Sequence, residues 1–194
     1  MTGYILAPLF ALTLGGYLLL QLAYSFLLKR IAMIDVLVIA GGFVLRAIGG
    51  AIVIQVQFSP WLLVCTFLLA TFLGLCKRRQ ELATIPVSSL AGVTRESLSM
   101  YSEKLLDRLI VIATVATLVS YAVYTLSDAT LEKFGDARLG LTFPFVLFGL
   151  FRYLYLVYHR ELGEQPARVL LTDPPILINV GLYGLGVLVL LLWV

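Results

Sequence analysis

Three basic residues and an acid, Lys77, Arg78, Arg79 and Glu81, close an apolar run that carries no charge from Trp61 to Cys76. On a continuing helix Lys77 and Glu81, four apart, share a face, and Arg78 lies about 100° around. Lys and Arg form charge-assisted bonds to phosphate oxygens, so the cluster suits a phosphate or diphosphate. The same residues also arise without any function where a helix leaves a membrane on its positive side. The stretch that follows, KRRQELATIPVSSLAGVTRESLSMYSEKLLDR, is the longest hydrophilic segment of the chain, with Tyr101 and one early proline, Pro86. Long ordered loops over a scaffold tend to carry function.

Other residues could do chemistry from less usual places. Arg46 lies in IDVLVIAGGFVLRAIGGAIVI, about 18 Å along an apolar helix. A charge there costs at least a few kcal/mol unless it faces a cavity, a partner or water. It either makes a packing pair or lines a pocket. The glycines around it, Gly41, Gly42, Gly49 and Gly50, allow close helix packing. Tyr24, Lys29 and Asp35 lie just upstream. Lys29 and Arg30 either snorkel to headgroups or bind a ligand, and Asp35 either caps the positive end of a helix or binds one. Glu103 and Asp107, four apart and interleaved with Lys104 and Arg108, form an ion-paired first turn or a weak candidate carboxylate pair for Mg²⁺. Tyr153, Tyr155 and Tyr158 are expected in an interfacial aromatic belt around Arg152 and the single histidine, His159, which reads as structural. Asp173 reads as a cap or turn residue.

The elements that hold these residues follow from composition. The 194 residues are 61% hydrophobic and only 13% charged, with a mean hydropathy of +1.01. That leaves too little polar surface to coat a soluble domain, so the chain reads as an integral membrane protein. Six runs are long enough to cross a bilayer: Tyr4–Phe26, Ile34–Ile54, Pro60–Cys76, Leu105–Ser127, Leu139–Tyr158 and Ile176–Val194. They do not alternate as barrel strands do, which predicts an all-α polytopic transmembrane bundle forming a single domain over 1–194. Segments after spans one, three and five hold ten of the 14 Lys and Arg residues, which puts those ends in the cytoplasm. Span one must then enter from outside, an unusual start that an odd number of preceding spans would remove. The N-terminus has no secretory-signal pattern. Cys65 and Cys76, eleven apart on one helix, cannot join to each other. The net charge of +3 is too small and scattered for nucleic acid. No Walker motif, catalytic triad, Cys/His metal set or dinucleotide fingerprint stands in a credible context.

Three stretches carry a resemblance: YSFLLKRIAMIDVLVIAGGFVLRAIGG, LCKRRQEL and RYLYLVYHRELGEQPARVLLTDPPI. In order and spacing they resemble the UbiA prenyltransferase superfamily, closest to its decaprenyl-phosphate phosphoribosyltransferase branch. The resemblance implies a nine-helix ring around a cavity open to lipid and cytoplasm, with these spans as helices four to nine and the N-terminal three absent. It implies transfer of 5-phosphoribose from phosphoribosyl pyrophosphate to a polyprenyl phosphate for cell-wall arabinan precursors, in a bacterial plasma membrane with the active side cytoplasmic. Lys77, Arg78 and Glu81 would contact the donor. Tyr24, Lys29 and Arg46 would face the lipid or sugar phosphate, with Asp35 orienting Lys29 or Arg46. Mg²⁺ is implied too, but its Asp-rich motif has no match here: Asp35, Asp107, Asp128, Asp136 and Asp173 are scattered. The chain is therefore expected to be inactive alone, with a separate N-terminal fragment as a partner. The alternatives are a prenyltransferase moving an isoprenoid diphosphate onto an aromatic acceptor and a non-catalytic membrane scaffold or remnant.

Overall fold

In hydrocarbon a run of roughly 20 apolar residues must satisfy its backbone hydrogen bonds within itself, and a helix does so. A computed structural model of the chain describes residues 3–56, 59–84, 96–134, 137–160 and 166–192. All regular elements among the described residues are helical. Helix α1 (Gly3–Phe26) runs into a short 3-10 turn (Leu28–Arg30), followed by α2 (Ile34–Val53) and α3 (Pro60–Thr84). A second 3-10 turn (Glu96–Met100) precedes α4 (Glu103–Leu126), the short α5 (Asp128–Phe134) and a third turn (Ala137–Thr142). Then come α6 (Phe143–Arg160), the short α7 (Pro166–Thr172) and α8 (Pro174–Leu192). Six of these segments are long and apolar enough to span a membrane, as a polytopic bundle requires.

Several boundaries differ from the hydropathy reading: the fifth run's α-helix begins at Phe143 and not Leu139, because residues up to Thr142 form a 3-10 turn, and α8 begins at Pro174 and not Ile176. Helix α3 does not stop at Cys76 but continues to Thr84, because loss of hydropathy marks the edge of the hydrocarbon and not the end of a helix. Helix α4 begins at Glu103, where the Ser102 side chain accepts the Leu105 N–H as a cap. Residues 85–95, with Pro86 and Arg95, and Asp136 lie outside the described residues.

Helices α3 and α4 make the most extensive contact, and α2 packs on α3 and on α1. The core lies between α3, α4 and α6, around Phe72, Cys76, Leu106, Ile110, Tyr153 and Leu156. Tyr153 is a correction to the expected aromatic belt: it is 3% exposed and packs edge-on against Phe72, with ring centres 5.6 Å apart. Tyr155 and Tyr158 remain on the exposed side of α6. Cys65 and Cys76 are both buried free thiols on α3. Helices α2 and α3 approach most closely at Gly74, where a Cβ would stand 2.8 Å from the Val36 side chain.

Candidate functional site

The first turn of α2 presents Asp35, and the last turns of α3 present Arg78 and Glu81. The close approach at Gly74 brings these ends together. The Arg78 Nε donates to Asp35 Oδ2 at 2.7 Å, and its Nη1 donates to Glu81 Oε2 at 2.5 Å. Arg78 is 2% exposed and Asp35 1%. A guanidinium this deep is tolerable only because two carboxylates hold it. Asp35 takes three further donors. The Tyr101 hydroxyl donates to Oδ1 at 2.8 Å, the Val36 N–H donates to the same oxygen at 2.9 Å, and the Ser97 hydroxyl donates to Oδ2 at 3.4 Å. The carboxylate also sits at the positive end of the α2 dipole.

Tyr101 closes the arrangement from the other side. Its hydroxyl accepts the Met33 N–H at 2.6 Å while donating to Asp35. Met33 holds a backbone φ of 68°, a left-handed conformation that costs a methionine more than a glycine. Its amide is thereby turned towards Tyr101. Burial pushes the Tyr101 phenol above its ordinary pKa, and the bond to Asp35 and its charge add to this; the Met33 N–H and the Arg78 charge oppose it. The phenol therefore stays a donor at neutral pH.

Lys77 lies at the rim of this cluster. Its Nζ is 3.9 Å from Glu81 Oε1, and its side chain is 44% exposed. Arg79 turns to the other side of α3. Its Nε donates to Asp107 Oδ1 at 3.3 Å, and its guanidinium lies 4.9 Å from the centre of the Tyr158 ring. The Tyr158 hydroxyl donates to the same Asp107 oxygen at 2.7 Å. A second pair ties α6 to α8: Arg152 donates through Nε and Nη2 to both Asp173 oxygens, at 3.1 and 2.9 Å. Asp173 also accepts the Ile176 N–H, capping α8 as its sequence position suggested.

The structure thus brings together Asp35, Arg78, Glu81 and Lys77 and leaves the other candidates apart. Asp35 engages Arg78 and not Lys29 or Arg46, which corrects the expected pairing. Arg46 is eleven residues beyond Asp35 on α2, about 16 Å along the axis, and its contacts are with Tyr17 and Phe43. Lys29 lies on the turn after α1 with no ion pair among the described residues. The Tyr24 hydroxyl is buried without a hydrogen-bond partner. Glu103 is exposed. No group of three or more His, Cys, Asp or Glu residues clusters among the described residues. Among the described residues, Asp35 and Glu81 are engaged by Arg78, and Asp107 by Arg79 and Tyr158, so these carboxylates are not grouped as a Mg²⁺ site.

Sequence reasoning missed Tyr101 and Ser97 as members of the cluster. It also missed Gln80, which is fully buried with neither amide atom hydrogen-bonded. The spacing Phe72, Cys76, Gln80 repeats every four residues and could have placed Gln80 on the core face.

An apolar cavity of about 350 Å³ lies between α3, α4, α6 and α8, with walls that include Leu69, Phe72, Tyr121, Leu150, Tyr153 and Asn179. None of the clustered charges line it. Its last α3 residue, Leu73, is five residues before Arg78, or roughly 7 Å along the helix. The Tyr153 hydroxyl on its wall has no partner.

A polytopic helical membrane protein with a buried charge network at one end of its bundle is the class that fold and site define. Comparison with known proteins narrows it. The chain is 29% identical to a decaprenyl-phosphate phosphoribosyltransferase of Mycolicibacterium smegmatis over 117 residues, 60% of this chain and 36% of that protein. It is 30% identical to the protein of the same name in Corynebacterium glutamicum over 114 residues, 59% of this chain and 34% of that protein. It is also 44% identical over 80 residues to an uncharacterized Sinorhizobium fredii protein, y4nM, covering 41% of this chain and 16% of that one. The chain thus matches well under half the length of these curated relatives. No family model matches it. The similarities support a distant, UbiA-like family of membrane transferases and no specific member of it.

Proposed function

We propose that the chain is part of a UbiA-type transferase that moves 5-phosphoribose from phosphoribosyl pyrophosphate to a polyprenyl phosphate, with its basic helix ends at the cytoplasmic face of a bacterial plasma membrane. The observation that carries this reading is the end of α3. There Arg78 is locked between Asp35 and Glu81, and Lys77 stands beside it half in solvent. A locked arginine cannot turn to meet a substrate, so its role is to position. Lys77 is the cation left to meet an anion, and Glu81 orients it. Tyr24 and Lys29, near the same end of α1, are the groups that would face the lipid phosphate. Arg46 is left out, because it sits too far along α2.

In the reaction, an oxygen of the lipid phosphate bonds to the anomeric carbon. The bond from that carbon to the pyrophosphate oxygen breaks, and pyrophosphate leaves with the electron pair. Positioning and charge stabilisation suffice, without a covalent enzyme intermediate. The apolar cavity one to two turns below Arg78 is where part of an isoprenoid chain would lie. Because the described carboxylates do not fit Mg²⁺, no step is assigned to it, and these residues alone are expected to bind donor and not turn it over.

The test is binding of labelled phosphoribosyl pyrophosphate to the chain in lipid nanodiscs. Saturable binding is expected, weakened about tenfold by Lys77→Ala, which removes one charge-assisted contact. Stronger binding of geranyl diphosphate than of phosphoribosyl pyrophosphate would move the assignment to a prenyltransferase. Binding of neither, by a chain that stays folded, would leave a scaffold.

A further inference from the structure

To meet a phosphate, Lys29 must be held in place, and its own segment does little of the holding. The turn Leu28–Arg30 is closed by two backbone bonds, from the Arg30 N–H to the Leu27 carbonyl and from the Ile31 N–H to the Leu28 carbonyl, each long at 3.3 Å. Ile31 follows in extended backbone. Met33 then takes φ 68° and ψ −47°, close to the rare, strained γ-turn. Ala32 and Met33 rest against the core, which sets where the segment lies. Apolar contact has no direction, so it does not set how the backbone is wound.

Tyr101 supplies the direction. It is 6% exposed and directly follows the turn Glu96–Met100, which packs on Leu28–Arg30. Its proton goes to Asp35 Oδ1 at 2.8 Å, which leaves the oxygen to accept, and that oxygen takes the Met33 N–H at 2.6 Å. The bond is shorter than either one inside the turn. The Met33 carbonyl is fixed by α2, accepting from the Val36 and Leu37 N–H groups. The Met33 N–H, on the side of Lys29, is fixed by Tyr101. A strained residue persists only where its surroundings over-determine it, and these are the contacts that do so.

We infer that Tyr101 is a positioning residue for the acceptor phosphate: its hydroxyl sets the winding of the segment 28–33 and so the reach of Lys29. Tyr101 acts through the lysine and not by contact with a ligand. The inference rests on the proposed transfer to a lipid phosphate, the reading that gives Lys29 an anion to meet.

The probe is undecaprenyl phosphate, titrated into the chain in phosphatidylcholine nanodiscs, with binding scored per folded molecule. Tyr101→Phe should weaken its binding about fivefold, the share of one hydrogen bond, and leave phosphoribosyl pyrophosphate binding within about twofold of the wild type. In a Lys29→Ala chain the same change should cost less than about twofold, because the lysine it places is gone. Adding Met33→Gly to Tyr101→Phe should bring binding back to within about twofold of the wild type, since glycine takes a positive φ without strain. A merely structural loss would persist in the Lys29→Ala chain and would not be relieved by the glycine. Undiminished binding by Tyr101→Phe, an equal loss with Lys29→Ala in place, no recovery with Met33→Gly, or an equal loss for phosphoribosyl pyrophosphate would each overturn the inference and leave the transferase reading standing. A folded wild-type chain that binds no undecaprenyl phosphate would remove both.

Discussion

Two of the bundle's arginines sit under opposite conditions. Arg78, at the end of α3, is 2% exposed and bound by two carboxylates. Arg46, in the middle of α2, is exposed and rests on two aromatic rings and a phenol. Hydropathy alone makes Arg46 the anomaly and Arg78 an ordinary residue at a membrane edge. The contacts say more: Arg78 has its counter-charges within the chain, and Arg46 has none among the described residues. A buried cation with its counter-charges in place serves the fold. A mid-span cation held only by rings and a phenol contributes little to it.

The largest expected effect that could break this contrast is at Arg78. Arg78→Leu strands the Asp35 charge where water does not reach, and should lower stability in detergent by about 3–5 kcal/mol. The double change Arg78→Leu with Asp35→Leu should be milder than the single one, because no lone charge remains. If the single variant unfolds like the wild type in denaturant titration, the network does not hold the fold. Tyr101→Phe comes next. It removes one donor from Asp35 and leaves the Met33 amide without its acceptor, for an expected loss of about 1–2 kcal/mol in the same titration. The smallest effect belongs to Arg46. Arg46→Leu should leave the isolated chain within about 1 kcal/mol of the wild type or make it more stable, since no internal ion pair is lost. A loss as large as that of Arg78→Leu would erase the distinction.

The fold was largely legible because the bilayer imposes one rule on every apolar run, and six runs obeyed it. The ends were less so. Hydropathy falls at Cys76, yet the α3 backbone has no reason to stop before Thr84. Tyr153 shows a different limit. Three tyrosines near a span end suggest a belt, but the helical period puts Tyr153 with Leu150, Leu156 and Val157 on the buried side of α6. The site was legible as a list of residue types and not as an arrangement. Asp35 and Arg78 are 43 residues apart, and only the packing of α2 on α3 makes them a pair. Tyr101 joins them from near the far end of the longest polar segment, and no spacing rule connects it to Met33.

The tight fit of Gly74 against Val36 has a mechanical meaning. Just above that contact, the same two helices are clasped by Asp35 and Arg78. Two points of attachment make a lever with no joint in it. An anion that drew Lys77 towards itself would not bend the tip of α3 alone. The pull would pass through the clasp to the Met33 turn, and α2 would be carried along as one piece.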